Sequence, residues 1–123
     1  MKTLLLLGAL ALSINVFGQE SVQNGTLEVM TKDLGLMTWH DAKRACAAIE
    51  GGWRLPTIDE LNILFKGKDK IGGFKNYDYW SSTESDLQGD LQSVWYRNFG
   101  NGYQYKHNFN KLMRLYVRAV RDF

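Results

Sequence analysis

The eleven residues Gly51-Gly52-Trp53-Arg54-Leu55-Pro56-Thr57-Ile58-Asp59-Glu60-Leu61 constrain the fold more than any other part of the chain. Thr57 and Glu60 stand three apart, just ahead of the apolar residues Leu61, Leu64 and Phe65. This is the form of a capping box, in which the hydroxyl and the carboxylate each satisfy an otherwise unpaired backbone N–H at a helix start. Pro56 keeps Leu55 extended, and Gly51-Gly52 supplies the left-handed conformations that end a preceding helix at low cost. The segment therefore reads as helix stop, short extended link, helix start, with Trp53 and Leu55 as buried anchors.

The chain opens with Met1-Lys2, an apolar run from Leu4 to Leu12, and Val16-Phe17-Gly18 ahead of Gln19. A basic start, a short apolar core and small or apolar residues before a polar one read as a cleaved secretory leader, residues 1–18. The run is too short to span a bilayer. The expectation is an exported protein, periplasmic or extracellular, without a transmembrane anchor once the leader is removed. Taking 18 residues from 123 leaves 105, one small domain, and losing Lys2 takes the net charge from +2 to +1. A balance so near neutrality points to no nucleic-acid partner. Cys46 is the only cysteine, so no intramolecular disulfide forms and the hydrophobic core must hold the fold unaided. Cys46 shares a helical face with Trp39, Ala42 and Ile49, the setting of a buried inert thiol.

Trp53-Arg54-Leu55-Pro56-Thr57 with Asp59-Glu60-Leu61, Tyr79-Trp80-Ser81-Ser82-Thr83, Trp95-Tyr96-Arg97-Asn98-Phe99-Gly100, Val117-Arg118-Ala119-Val120-Arg121 and the earlier Leu34-Gly35-Leu36-Met37 occur in this order. Together they resemble the C-terminal domain of the Lcl collagen-like proteins, a bacterial family. The resemblance covers nearly everything after the leader, and its domain is expected over 27–123, behind a flexible lead-in at 19–26. Formylglycine-generating, sulfatase-modifying proteins carry a similar Arg-Leu-Pro-Thr element. Both groups are similar to the C-type-lectin-like fold, which implies an α+β domain with two helices packed on a small, twisted, mostly antiparallel sheet. The resemblance also implies a cysteine in the last strand where this chain has Ala119, so Cys46 has lost that partner.

Residues 27 to 31 alternate as a strand does, and Lys32-Asp33-Leu34-Gly35 turns them into Leu36-Met37 as a first hairpin. Thr38 caps a helix to about Glu50, with Trp39, Ala42, Cys46 and Ile49 inward. A second helix runs from Ile58 to about Lys66. Residues 67 to 78 are rich in Gly and Lys and read as an exposed loop. Tyr77 to Thr83 is a strand with Trp80 inward, and 84 to 93 an acidic, polar loop. Three strands follow: 94 to 99, 103 to 109 and 113 to 121. A three-residue Gly100-Asn101-Gly102 loop sets Arg97 opposite Tyr105 and Trp95 opposite His107, and burial selects this register over a two-residue Asn-Gly turn. The outer face then carries Tyr96, Asn98, Gln104 and Lys106. In the last strand Leu115, Val117 and Ala119 point inward, leaving Arg114, Tyr116 and Arg118 outside.

No catalytic constellation emerges. His40 and His107 lack the neighbouring ligands of a zinc site, and Glu84, Asp86 and Asp90 match no calcium-loop spacing. Gly67-Lys68 lacks the upstream glycine of a phosphate loop. A chain with Cys46 alone lacks the paired cysteines that the sulfatase-modifying resemblance implies for that chemistry. The expectation is therefore a non-catalytic, lectin-like recognition domain without metal or cofactor. Tyr96, Lys106, Arg114, Tyr116 and Arg118 are its candidate ligand-binding residues, cations for a sulfated or carboxylated glycan and tyrosines for its sugar rings. Glycan binding attributed to the family's namesake agrees, although the collagen-like repeats that give avidity are missing here. An envelope protein as partner, or a structural, assembly role in the cell envelope, is the alternative; a sulfatase-modifying-factor-like enzyme ranks third. Protein recovered from outside the cytoplasm should begin at Gln19, and intact-mass measurement finding Met1 there would refute the leader.

Overall fold

The computed structural model describes residues 12–14, 20–85, 93–108 and 112–123. The expected leader lies outside them except for 12–14, which pair with 20–22 as a sheet-edge strand that cleavage after Gly18 would remove; 86–92 of the expected acidic loop also lies outside. Two sheets are built. One has the order β1-β2-β3-β9, from β1 (Leu12–Ile14), β2 (Glu20–Asn24), β3 (Leu27–Met30) and β9 (Val120–Asp122). The other has the order β4-β8-β5-β6-β7, from β4 (Gly35–Met37), β5 (Asp78–Ser85), β6 (Ser93–Asn98), β7 (Gln104–Asn108) and β8 (Leu115–Val117). Every pairing is antiparallel except β5 with β8. With helices α1 (Trp39–Ala47), α2 (Ile58–Lys66) and the single turn α3 (Lys68–Ile71), the domain is α+β.

The two long helices form where their caps place them. Thr57 Oγ1 accepts from the Glu60 N–H at 3.1 Å, and Glu60 Oε1 accepts from the Thr57 N–H at 2.9 Å, the reciprocal box expected from sequence. Thr38 Oγ1 accepts from the Asp41 N–H, but the Asp41 carboxylate pairs with Arg44 instead of returning to the cap. The link between the helices is pinned to both sheets. Arg54 exchanges two backbone hydrogen bonds with Val120, of 2.8 and 2.9 Å. The Ser82 N–H donates to the Pro56 carbonyl and Ile58 N–H to Thr83 Oγ1.

Neighbouring side chains of β5 point to opposite faces, and both faces are covered. Trp80 joins Trp39, Ala42, Cys46, Trp53, Val117 and others in a core that includes α1. Tyr79 joins Leu61, Leu64, Phe99 and Val120 in a second core that includes α2. Two of the three buried indoles are satisfied by carbonyls, Trp39 Nε1 donating to Ser81 O and Trp80 Nε1 to Met37 O, each at 2.8 Å, while Trp53 Nε1 has no partner among the described residues. The second helix core therefore removes the solvated sheet face that the alternation of residues 113 to 121 suggests.

Several expectations change. The lead-in at 19–26 contains β2, whose Ser21 and Val22 are buried against β3. The first hairpin does not exist, because β3 and β4 lie in different sheets. The last strand is broken at Arg118-Ala119 into β8 and β9, which also separate into the two sheets. The two crossings run side by side: Met30 N–H donates to Ala119 O and Leu34 N–H to Val117 O. The exposed loop at 67–78 holds α3, with Ile71 buried. Trp95 pairs with Lys106 and Tyr96 with Tyr105, because the turn spans Phe99–Gly102, with Gly102 N–H on Asn98 O. The expected register is shifted by one, and Tyr96 comes to the Trp80 side.

Cys46 and Ala119 are both completely buried in the same core, and burial pushes the thiol up to about 12. Ala119→Cys should therefore form an internal bridge on oxidation. With so long a loop closed, the expected gain is about 2–4 kcal/mol over its reduced form. Thiol titration of the unfolded protein together with paired melts checks this; two free thiols after oxidation would refute it.

Candidate functional site

Strands β5 and β8 share one ladder pair, Tyr79 with Tyr116. The residues just ahead of it, Tyr77-Asp78 and Arg114-Leu115, together with Leu36 and Tyr116 line a surface cleft of about 350 Å³. That volume lies at the small end of the roughly 300–1,000 Å³ typical of ligand clefts. The rings of Tyr77 and Tyr116 stack with centroids 6.0 Å apart at 17°. Tyr77 is 61% exposed and Leu36 51%, so an apolar and aromatic surface faces solvent here. Arg114 is exposed and makes no ion pair or hydrogen bond among the described residues. Lys75 Nζ stands 5.9 Å from the Tyr116 ring centroid.

The cleft is held by short bonds behind it. The Tyr77 carbonyl accepts from the Phe99 N–H at 2.9 Å. Asp78 Oδ1 accepts from Asn98 Nδ2 at 2.8 Å, while Asn98 Oδ1 accepts the N–H groups of Gly100 and Asn101. The Tyr79 hydroxyl donates to Asp33 Oδ2 at 2.7 Å and accepts from the Lys75 N–H at 2.9 Å. Burial pushes this phenol above the usual tyrosine range, so it remains a protonated donor at neutral pH.

Of the five residues expected to bind ligand, Arg114 and Tyr116 meet in the cleft and the others do not. Tyr96 stacks on Tyr105 and packs edge-on against Trp80; burial, then the charge of Asp78, then Tyr105 raise its pKa. Lys106 reaches over Trp95, on the opposite sheet face from Tyr96. Arg118 has no exposed surface at all. Its Nε donates to Asp33 Oδ1 at 2.8 Å, and its Nη1 donates to the carbonyls of Met30 and Gly72, each at 2.9 Å. Nη2 lies 2.8 Å from Asp33 Oδ1 but off the hydrogen-bonding direction. The guanidinium rests 3.9 Å from the Phe74 ring centroid. Burial lowers its pKa and Asp33 opposes that shift; the group remains charged.

Alternation misplaced Arg118 because it assumed one wet face. Tyr77, Asp78 and Leu36 escaped the sequence reading, although an aromatic directly after the polar Lys75-Asn76 marked a ring at an exposed strand entrance. A second depression, of about 490 Å³, is lined by Asn24, Ile63, Lys66, Gly67, Asp69 and Lys70. It has no aromatic surface to orient a ligand.

Residues 19–121 match the family model of the Lcl C-terminal domain. The chain belongs to the Lcl C-terminal domain family. No curated protein matches it. In this Lcl domain, no group of three or more His, Cys, Asp or Glu able to hold a metal ion occurs among the described residues. Among the described residues the cleft lining contains no His, Cys or Ser.

Arg118 is thus part of the scaffold of the Lcl domain. Arg118→Ala leaves the Asp33 carboxylate and the Met30 and Gly72 carbonyls without their donor, and should cost about 3–5 kcal/mol. Urea unfolding measures this; a midpoint within error of the parent would contradict the assigned role.

Proposed function

We propose that this Lcl domain is an exported, non-catalytic recognition module that binds an anionic glycan in the cleft formed by Tyr77, Asp78, Arg114 and Tyr116. The observation that carries the reading is an exposed arginine without an ion pair among the described residues, beside a parallel pair of tyrosine rings, one of them largely exposed. The negative face of an aromatic ring attracts the polarised C–H edge of a pyranose. A guanidinium presents a planar fork to a carboxylate or sulfate. The leader pattern of residues 1–18 supports export, to the periplasm or the cell exterior, where such glycans occur. No described helix is long and apolar enough to cross a membrane.

The cleft is small and open to solvent, so affinity should be weak unless several copies are displayed together. Backbone and side-chain bonds fix Tyr77 and Asp78 before any ligand arrives, which lowers the ordering cost of binding.

An array of anionic and neutral glycans tests the proposal. Binding should be confined to anionic members and should fall away near 1 M salt, where the screening length is about 3 Å. Arg114→Ala should remove it, whereas Lys106→Ala, on a different surface, should leave it unchanged. Absence of any salt-sensitive glycan binding would favour an assembly role in the envelope and overturn the reading.

A further inference from the structure

Asp78 borders the cleft, but its carboxylate lies on the other face of the sheet. Tyr77 and Tyr79 stand on the side of Tyr116. Asp78 alternates away from them, and its Oδ1 accepts from Asn98 Nδ2. The ladder sets out its surroundings: across β5, β6 and β7 one row runs Asp78, Asn98, Tyr103 and the next Trp80, Tyr96, Tyr105. The rings of Tyr96 and Tyr105 stack with centroids 5.4 Å apart at 29°. Tyr103 is 65% exposed and Tyr105 38%, so the outermost strand β7 presents two rings to solvent on this face. Between them and Asp78, Asn98 is held by Asp78 and by the N–H groups of Gly100 and Asn101. The result is a strip with a fixed carboxylate at one end and tyrosine rings at the other.

Charge decides what suits this strip. Asp78 makes no ion pair among the described residues. The cations of β6 and β7 alternate to the opposite face, Arg97 over Phe65 and Lys106 over Trp95, while Lys75 and Arg114 lie toward Tyr116. The charge of Asp78 is felt instead at the Tyr96 phenol, which burial and then this carboxylate hold above its usual range. A carboxylate accepts hydrogen bonds and donates none, and aromatic faces are negative. Together they complement a cation that carries N–H donors, and they repel the anions that Arg114 attracts.

The width of the strip narrows the choice. Strands β5 and β7 are two strand spacings apart, about 9.5 Å. A lysine ammonium is a point charge on a flexible stem, so it meets one end and leaves the other unused. A protonated amino sugar is a rigid body with an ammonium at one edge and C–H groups on its faces, and one or two such rings reach from Asp78 to β7.

We infer that this strip is a second binding surface, for a protonated amino sugar, with Asp78 taking the ammonium and Tyr103 and Tyr105 packing on the ring faces. It goes beyond the anionic-glycan reading and does not rest on it.

Calorimetric titration of the full chain in mildly acidic buffer, where the amine carries its proton, tests this with three probes: the glucosamine trimer, its N-acetylated form, and trilysine. The glucosamine trimer should bind at least about tenfold more tightly than either of the others, the size expected for one charge-assisted hydrogen bond. Asp78→Asn keeps an acceptor for Asn98, removes the charge, and should weaken the glucosamine trimer by a similar factor. Tyr103→Ala should weaken it at least about threefold. Because Tyr103 is exposed, its variant should keep the parent melting curve even if Asp78→Asn loosens the turn. Lys106→Ala, on the opposite face, should change nothing. Equal affinity for the N-acetylated trimer would remove charge from the account, and equal affinity for trilysine would put a basic peptide in place of the sugar; either overturns the inference. So would no binding of the glucosamine trimer, or binding that neither Asp78→Asn nor Tyr103→Ala alters. None of these results bears on the anionic array, whose outcome is decided at Arg114.

Discussion

A positive charge without solvent holds the centre of this domain. Arg118 sits at the break between β8 and β9, where the chain leaves one sheet for the other. Its guanidinium reaches the Asp33 carboxylate in the β3–β4 crossing, the Met30 carbonyl at the end of β3, and the Gly72 carbonyl after α3. Placing a charge there is unfavourable by several kcal/mol unless paired and hydrogen-bonded. The carboxylate, two carbonyls and the Phe74 ring supply that compensation. The same contacts hold both sheet crossings together. Gly73 completes the arrangement: its φ is +80°, and a Cβ would come within 2.5 Å of the Thr31 carbonyl oxygen, so only glycine lets the chain pass this close.

The cleft is a consequence of that junction. Asp33 accepts from Tyr79, and the Tyr79 hydroxyl takes the Lys75 N–H. The segment from Gly72 to Tyr79 is therefore fastened at Gly72 by Arg118, at Lys75 by Tyr79 and at Tyr77 by the Phe99 N–H. It enters β5 at one position, and Tyr77 comes to rest on Tyr116. The ring pair of the cleft is aligned by bonds made on the protected side of the sheet.

What could be read from the sequence follows how local each interaction is. The α2 helix was legible to its ends because the capping box lies within four residues. The inward face of α1 was legible because Trp39, Ala42 and Cys46 repeat at helical spacing. Several strand positions were legible too, β3, β5, β6 and β7 among them, but β2 was read as a lead-in, the break between β8 and β9 was missed, and strand partners were not legible. Nothing local in Leu27–Met30 says that it pairs with β2 and β9 and not with the next strand. The Asn98–Tyr103 turn was misjudged by one residue because Asn98 itself closes it, accepting N–H bonds from Gly100 and Asn101. Arg114 and Tyr116 lie together at the cleft as their alternation placed them, because their strand end is open to solvent on one side. Arg118, two residues later in the same alternation, was misplaced because Phe74 and the turn after α3 cover it from a distant part of the chain.

The same covering decides how much charge the surface offers. The end of the chain is rich in cations in sequence, which suggests a broad basic face for a polyanion. In the folded domain Arg97 donates to Gly102 and Gln104, Arg118 is fully enclosed, and Arg121 donates to Glu28 and Gly51 while lying over Trp53. Three guanidiniums thus serve internal bonding, and Lys106 stands on another surface. One arginine is left at the cleft, with Lys75 near the Tyr116 ring. A polyanion track needs many phased cations, and this arrangement provides a single guanidinium fork beside one exposed ring. The electrostatics of the folded surface therefore suit one anionic group at the cleft better than a charged polymer held by its density, in keeping with the function proposed above.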